Sequence, residues 1–166
     1  MLRASTFKFV AAQQSCRSIH ISRPLLAEKS ASPDFNTQSM AEQFNLSPNV
    51  LTQALTHKSF KHGKVPSNER LQYVGHRSLE FFAMEANMEE SMNAEQLEKA
   101  VRDVLNTAHL SSKFDALGLE AGIQCHLPQN TVSSAVKSKT VESLVGAVYH
   151  ERGLNAAKEF VKKHVL

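Results

Sequence analysis

The chain has 166 residues, of which 42% are hydrophobic, enough for one folded domain with a tail. The formal net charge is +3, but residues 1–27 hold four basic side chains and no acid, which leaves 15 basic and 16 acidic groups elsewhere. The overall charge therefore excludes a strongly basic nucleic-acid-binding body, and any contact with RNA has to come from local patches.

Residues 1–27 are basic, hydroxyl-bearing and free of acids, a composition typical of a mitochondrial transit peptide. They predict a location in the mitochondrial matrix, with cleavage near Leu26 or Ala27, and a disordered basic tail is the alternative. Residues 28–38 are polar and turn-rich and are typical of a linker, so the domain is expected over 39–166. No stretch approaches the roughly 20 apolar residues that span a bilayer, and we expect no membrane span.

The elements predicted after the linker are helices, because apolar residues recur at helical spacing while glycine and proline are sparse. The first predicted helix starts at Ser47 and Pro48 and ends near Phe60, and the second is capped by Ser67. A capping box at Asn93 and Gln96 starts the third, and a fourth covers 107–117. After a loop from Gly122 to Thr131, a helix starts at Ser133 or Ser134 and ends at Gly153, before a last helix. The sequence thus predicts an all-α fold.

Metal-ligating patterns are missing from the sequence. Cys125 stands alone in the domain, no CxxC occurs, and the histidines show no paired-ligand spacing. We therefore expect no zinc site, no other metal and no cofactor.

Three segments, in matching order, resemble the motifs of the ribonuclease III family. Residues 68–76 (Asn-Glu-Arg-Leu-Gln-Tyr-Val-Gly-His) resemble the family's signature helix, and residues 55–60 (Leu-Thr-His-Lys-Ser-Phe) resemble the helix end before it. Residues 138–149 (Ser-Lys-Thr-Val-Glu-Ser-Leu-Val-Gly-Ala-Val-Tyr) are similar to the second motif. The resemblance implies the all-α helical fold of the ribonuclease III endonuclease domain.

Active members of that family hold magnesium with a cluster of carboxylates, and four acidic positions matter most. The resemblance places Gln72, His76, Lys139 and Glu142 at those positions, so only Glu142 is acidic. The spacings i, i+4 and i, i+3 still direct each pair to one helix face. With a neutral histidine these four side chains sum to zero charge instead of −4, and the resemblance implies a degenerate site in a protein that is not an enzyme.

The remaining side chains at this site allow two interpretations. In the first, Lys139 pairs with Glu142 on its own helix and His76 fills space. In the second, Lys139, with His76 and Arg77 nearby, holds the RNA backbone without cutting it. The candidate RNA-binding residues are Lys58, Lys61, Lys64, Lys139, Lys158 and Lys162.

The resemblance also implies a dimer, with Tyr73 and Val74 at the interface, and we expect no double-stranded-RNA-binding domain after the helices. Together with the mitochondrial signal, this is similar to the ribonuclease III-like proteins of the mitochondrial large ribosomal subunit, especially the small fungal member. The expected function is structural, bracing ribosomal RNA beside a second ribonuclease III-like ribosomal protein and other large-subunit proteins. The alternatives are an inactive subunit of a heterodimeric RNA-processing ribonuclease, whose partner supplies the carboxylates, and a free RNA-binding factor of the matrix.

Overall fold

A computed structural model describes residues 27–88, 93–127 and 131–166, so the predicted transit peptide lies almost wholly outside the described residues. The elements are β1 Ala27–Lys29, α1 Thr37–Phe44, α2 Pro48–Ala54, α3 Glu69–Ala86, α4 Ala94–Val104, α5 Thr107–Ala116, β2 Cys125–Leu127 and α6 Ser134–His164, with 3-10 turns at Phe60–Gly63 and Leu119–Ala121. The chain is mostly helical, as the sequence predicts.

Several helix starts are where their capping residues predict them. Ser47 caps α2 with Pro48 in the first turn, and the Ser133 side chain accepts from the amide of Val136 at the start of α6. Asn93 and Gln96 form a reciprocal capping box at α4. These starts are confirmed because a cap is a local interaction that a few neighbouring residues decide.

The boundaries between α2 and α3 were predicted wrongly. α2 ends at Ala54 instead of near Phe60, and the residue that precedes α3 is Asn68 instead of Ser67. After Leu55 the backbone leaves the helix to bond with Gln124, through the His57 amide at 2.8 Å and the Leu55 carbonyl at 3.0 Å. A partner nearly 70 residues away ends this helix, and no local pattern shows it.

A small antiparallel sheet crosses two segments that were predicted as linker and loop. β1 pairs with β2 in the register Ala27 with Leu127, Glu28 with His126, and Lys29 with Cys125. Part of β1 and the start of α1 lie within residues 28–38, and β2 lies within the predicted loop from Gly122 to Thr131. Three-residue strands are too short to produce a readable alternation.

The core forms where α6 lies against α3 and α5. Leu79, Phe114, Val141 and Leu144 are fully buried there. At the crossing of α3 and α6 the two backbones touch, since a Cβ on Gly75 would lie 1.7 Å from the Glu142 carbonyl oxygen. Only glycine permits helices to approach so closely.

Gly153 divides α6 into two helical parts, so the predicted helix end is confirmed. Its φ of 80° and ψ of −175° are not helical, and a second helical part follows it to His164. Just before it, Glu151 accepts bonds from the Ser47 amide at 2.8 Å and the Ser47 hydroxyl at 2.5 Å, which joins α6 to the start of α2. Within the described ranges no helix is both long and apolar enough to cross a membrane.

Candidate functional site

The crossing of α3 and α6 brings together three of the four predicted site residues. Gly75 and Gly146 let the helices touch, and the side chains of the site lie within about one helical turn of these glycines. Gln72 Nε2 donates to Glu142 Oε2 at 2.8 Å, and His76 Nδ1 lies 2.9 Å from Glu142 Oε1. The i, i+4 spacing on α3 therefore converges on Glu142, as the sequence predicts.

Glu142 is held between two donors of α3. Its side chain is only 8% exposed, and a buried carboxylate needs such bonds to replace water. An ionised carboxylate only accepts, so the proton of the shared bond belongs to His76 Nδ1. His76 is 40% exposed, and in the neutral ring this tautomer leaves Nε2 as an acceptor. Both carboxylate oxygens of Glu142 bond to α3, which disfavours the interpretation that pairs Glu142 with Lys139.

Lys139 is exposed on α6. Its charge affects the pKa of His57, a histidine that the motif comparison does not single out. Burial lowers the pKa of His57, and the charges of Lys139 and then Lys58 lower it further, against a smaller opposing effect of Glu69. His57 Nδ1 also accepts from the Ser59 amide at 3.3 Å and lies 2.8 Å from the Ser59 hydroxyl. Burial and the two lysine charges therefore favour the neutral form of His57.

Three predicted RNA-binding lysines share the basic loop, which we define as residues 57–64. The ammonium of Lys58 lies 3.0 Å from Glu69 Oε1, and that of Lys61 lies 5.3 Å from the centre of the Phe60 ring. Lys64 is exposed. The charges of Lys58 and Lys139 both lower the pKa of His57, so the basic loop and the first part of α6 add positive charge around the same histidine.

Lys158 and Lys162 lie elsewhere. Lys158 forms an ion pair with Glu85, and Lys162 lies 3.9 Å from Glu159. Glu85 is nine residues beyond His76 on α3, about 14 Å along the helix axis. The structure therefore does not bring these two lysines to Lys139, although the sequence grouped them as one class.

Tyr73 and Val74 are exposed on α3, with 69% and 39% of their surface accessible. Next to them is a cavity of about 390 Å³, lined in part by Val50, Val74 and Tyr149. Phe81 and Met84 continue the same exposed face of α3, and Met88 is exposed just past its end, although the motif comparison does not single them out. Their signal was available, because residues 73, 77, 81, 84 and 88 are spaced by three or four positions.

Magnesium does not fit this arrangement of donors. Hard cations take oxygen ligands, and the two oxygens of Glu142 already bond to Gln72 and His76. Within residues 27–88, 93–127 and 131–166, nowhere do three His, Cys, Asp or Glu side chains gather closely enough to hold a metal ion. A lysine at 139 adds positive charge where the family resemblance implies a carboxylate.

A family model described as Ribonuclease-III-like matches residues 47–166, which include α2 to α6 and every site residue above. The chain belongs to this family. The nuclease domain of ribonuclease III from Campylobacter jejuni has the same fold, with a TM-score of 0.70 and 24% identity over 78% of this chain and 96% of that one. The predicted helical fold of the ribonuclease III-like family is thus confirmed.

Curated relatives have the name Ribonuclease 3. The protein of Thermobifida fusca is 30% identical over 126 residues, covering 71% of this chain and 52% of its own length. The protein of Streptomyces coelicolor is 29% identical over 150 residues, covering 82% of this chain and 54% of its own length. The chain spans about half the length of the curated relatives it matches.

These relatives contradict two expectations of the sequence analysis. A structural component of the mitochondrial large ribosomal subunit was expected, and a protein that is not an enzyme. Both expectations depended on three positions, Gln72, His76 and Lys139, whereas the similarity to proteins named Ribonuclease 3 extends over 126 residues. The relatives named Ribonuclease 3 are the finding that overturns both expectations.

Proposed function

We propose that the chain is a subunit of a dimeric ribonuclease that processes double-helical RNA. The observation that carries this proposal is the match of residues 47–166 to the ribonuclease-III-like family, with relatives named Ribonuclease 3. The matched region includes the crossing of α3 and α6, where Gln72, His76 and Glu142 converge. The fold and the site position of a ribonuclease domain are therefore both present.

RNA contact is assigned to the basic loop together with Lys139. Lys58, Lys61, Lys64 and Lys139 supply four ammonium groups that can replace counterions along a phosphate backbone. Phosphate contacts fix the position of an RNA without reading its sequence. His76 and His57 add hydrogen-bonding groups beside the same surface. Lys158 and Lys162 are proposed as a separate contact, because they lie on the last part of α6, near the end of α3.

Dimer formation is assigned to the exposed face of α3. Tyr73 is the most exposed aromatic side chain of this helix, and the adjacent cavity has apolar walls from Val50 and Val74. In a two-fold dimer the same patch meets itself, so each Tyr73 can enter the cavity of its partner. Phe81, Met84 and Met88 extend the contact along the helix. An exposed apolar stripe of this length marks an interaction site.

The partner is proposed to be a second ribonuclease-III-like chain that meets this one through α3. At the site of this chain, Glu142 accepts from Gln72 Nε2 and holds the Nδ1 proton of His76. As they are arranged, these donors do not fit a metal ion.

The test is cleavage by the native assembly. The tagged full chain, recovered with the proteins that accompany it, is incubated with a double-helical RNA of defined sequence in magnesium, in manganese or in EDTA. We expect binding in all three conditions and cleavage when a divalent cation is present. Binding without cleavage in either cation would overturn the processing role, and absence of binding would overturn the proposal as a whole.

Tyr73→Asp tests the dimer. A charge inside an apolar contact should release the partner, so we expect at least a tenfold loss of cleavage and a smaller assembly by light scattering. Leu154→Asp is the matched control, because Leu154 is 50% exposed and lies on α6 beyond Gly153. Equal effects of the two substitutions, or none of either, would contradict the assignment of the interface to α3.

We also propose that the protein acts in mitochondria. The support is the basic, acid-free composition of residues 1–27. A fluorescent fusion of the full chain should enter mitochondria, and the same fusion without residues 1–27 should stay outside. Mitochondrial entry of the shortened fusion would contradict this proposal.

A further inference from the structure

The basic loop has a backbone that its own sequence does not favour. Lys61 and His62 have φ values of 46° and 54°, and Gly63 follows at 73°. Left-handed backbone is disfavoured for residues with a Cβ, and two in succession need support from elsewhere in the fold. The three residues lie between Lys58 and Lys64, so their conformation decides where those ammonium groups point.

The support comes from the N-terminal strap, which we define as residues 27–35. The amide of Lys61 donates to Glu28 Oε1 at 2.6 Å, across 33 positions of sequence. The same Glu28 oxygen faces Nε2 of His126 at 3.5 Å, and the His62 ring lies 5.1 Å from the His126 ring. One carboxylate therefore joins the strap to the loop and to β2.

The His126 ring on β2 is part of the contact between the strap and the basic loop. Its side chain is 15% exposed, and within the described ranges neither ring nitrogen has a well-aligned hydrogen-bond partner. A buried polar ring without partners is costly, and the facing carboxylate is the charge nearest to it. The His126 amide also donates to the Ser59 hydroxyl at 3.0 Å, and that hydroxyl lies 2.8 Å from His57.

The strap is anchored independently of the loop. β1 pairs with β2, and the amide of Ser32 donates to the Ala121 carbonyl at 2.7 Å. Phe35 lies so close to Gly122 that a Cβ there would come within 2.4 Å of its ring. The family match begins at residue 47, so the strap lies outside the matched region.

We propose that Glu28 is a positioning residue for RNA binding. By accepting the Lys61 amide and facing His126, its carboxylate keeps the basic loop in the left-handed conformation that presents Lys58, Lys61 and Lys64 to the phosphate backbone. This inference rests on the proposed RNA-binding function. The N-terminal strap then positions the RNA-binding loop, in addition to packing against the rest of the domain.

The test compares Glu28→Ala with Glu28→Gln in the full chain. Both remove the same negative charge, so electrostatics alone predicts that both bind RNA more tightly. Glutamine keeps an oxygen that can accept the Lys61 amide, whereas alanine does not. Positioning therefore predicts that Glu28→Ala weakens binding to a double-helical RNA up to about tenfold relative to Glu28→Gln, the effect of losing one neutral hydrogen bond.

Amide hydrogen exchange at Lys61 is the second measurement, and it requires no RNA. We expect exchange to accelerate about tenfold in Glu28→Ala and to stay close to wild type in Glu28→Gln. Glu120→Ala is the matched control, because Glu120 faces Lys29 of the same strand at 4.0 Å and does not touch the loop. It should change neither measurement.

The outcomes separate this inference from the proposed function. If the wild-type chain does not bind RNA, the proposed function fails, and the exchange rates still report on the loop. If the wild type binds and the two Glu28 variants bind alike, the positioning role is overturned. Unchanged Lys61 exchange in Glu28→Ala overturns it as well, whatever the RNA affinity.

Discussion

Gly146→Ala should lower the free energy of unfolding by about 3 kcal/mol or more, the upper range for overpacking a core. A Cβ at this position would lie 2.0 Å from the Leu71 carbonyl oxygen and 2.9 Å from the Gly75 nitrogen. Both neighbours are backbone atoms of α3, so no side chain can rotate away. The helices have to separate, and their contact is the centre of the core. Urea unfolding followed by circular dichroism measures the change.

Gly118→Ala is the matched control for this prediction. Gly118 has a φ of 66° and nothing within 4 Å of the added Cβ, so it tests backbone strain without a clash. We expect it to cost about 1 kcal/mol. If both substitutions cost the same, the close approach of α3 and α6 would be wrong, together with the convergence of Gln72 and His76 on Glu142.

Gln72→Glu, His76→Asp and Lys139→Asp together should create a magnesium site. The four side chains then carry a charge of −4 instead of zero, and all their free groups are oxygens, which hard cations prefer. At a concentration one hundred times the dissociation constant, a bound ion adds about 2.7 kcal/mol to stability. For a chain of this size the melting temperature should rise by about 5–10 °C with magnesium. The wild type should show no such rise.

The control adds Glu142→Gln to the triple variant. Glu142 is the residue on which the α3 side chains converge, so its loss should remove most of the magnesium effect. The triple variant without metal should also be less stable than the wild type, because like charges then meet at a largely buried carboxylate. A triple variant indifferent to magnesium would contradict the convergence of residues 72 and 76 on Glu142.

The sequence analysis was most accurate where the signal is local. Asn93 and Ser133 mark helix starts because each side chain accepts from an amide three positions along, and Ser47 marks one because proline follows it at the first helical position. The pairing of residues 72 and 76 on one face likewise follows from helix geometry alone. It was least accurate where a distant partner decides. α2 ends at Ala54 because Gln124 bonds to the chain beyond it.

The functional expectation failed for a different reason. The expectation of lost activity depends on residues 72, 76 and 139 and gives them more weight than the similarity of the whole domain to ribonucleases. Three positions describe the donors at one site in one subunit. They do not describe what an assembly of family members does with RNA, which is why the proposed test uses the native assembly.

The sequence by itself determined the helical fold class and the family. Periodic apolar residues, local caps and three ordered motifs are all properties of neighbouring residues, and they need no knowledge of distant contacts. The tertiary structure alone decided how Glu142 is bonded, that the charge of Lys139 lowers the pKa of His57, and that Glu28 holds the Lys61 amide. Those arrangements join residues from 33 to more than 80 positions apart, and only the packing of α3 on α6 and of β1 on β2 brings them within reach.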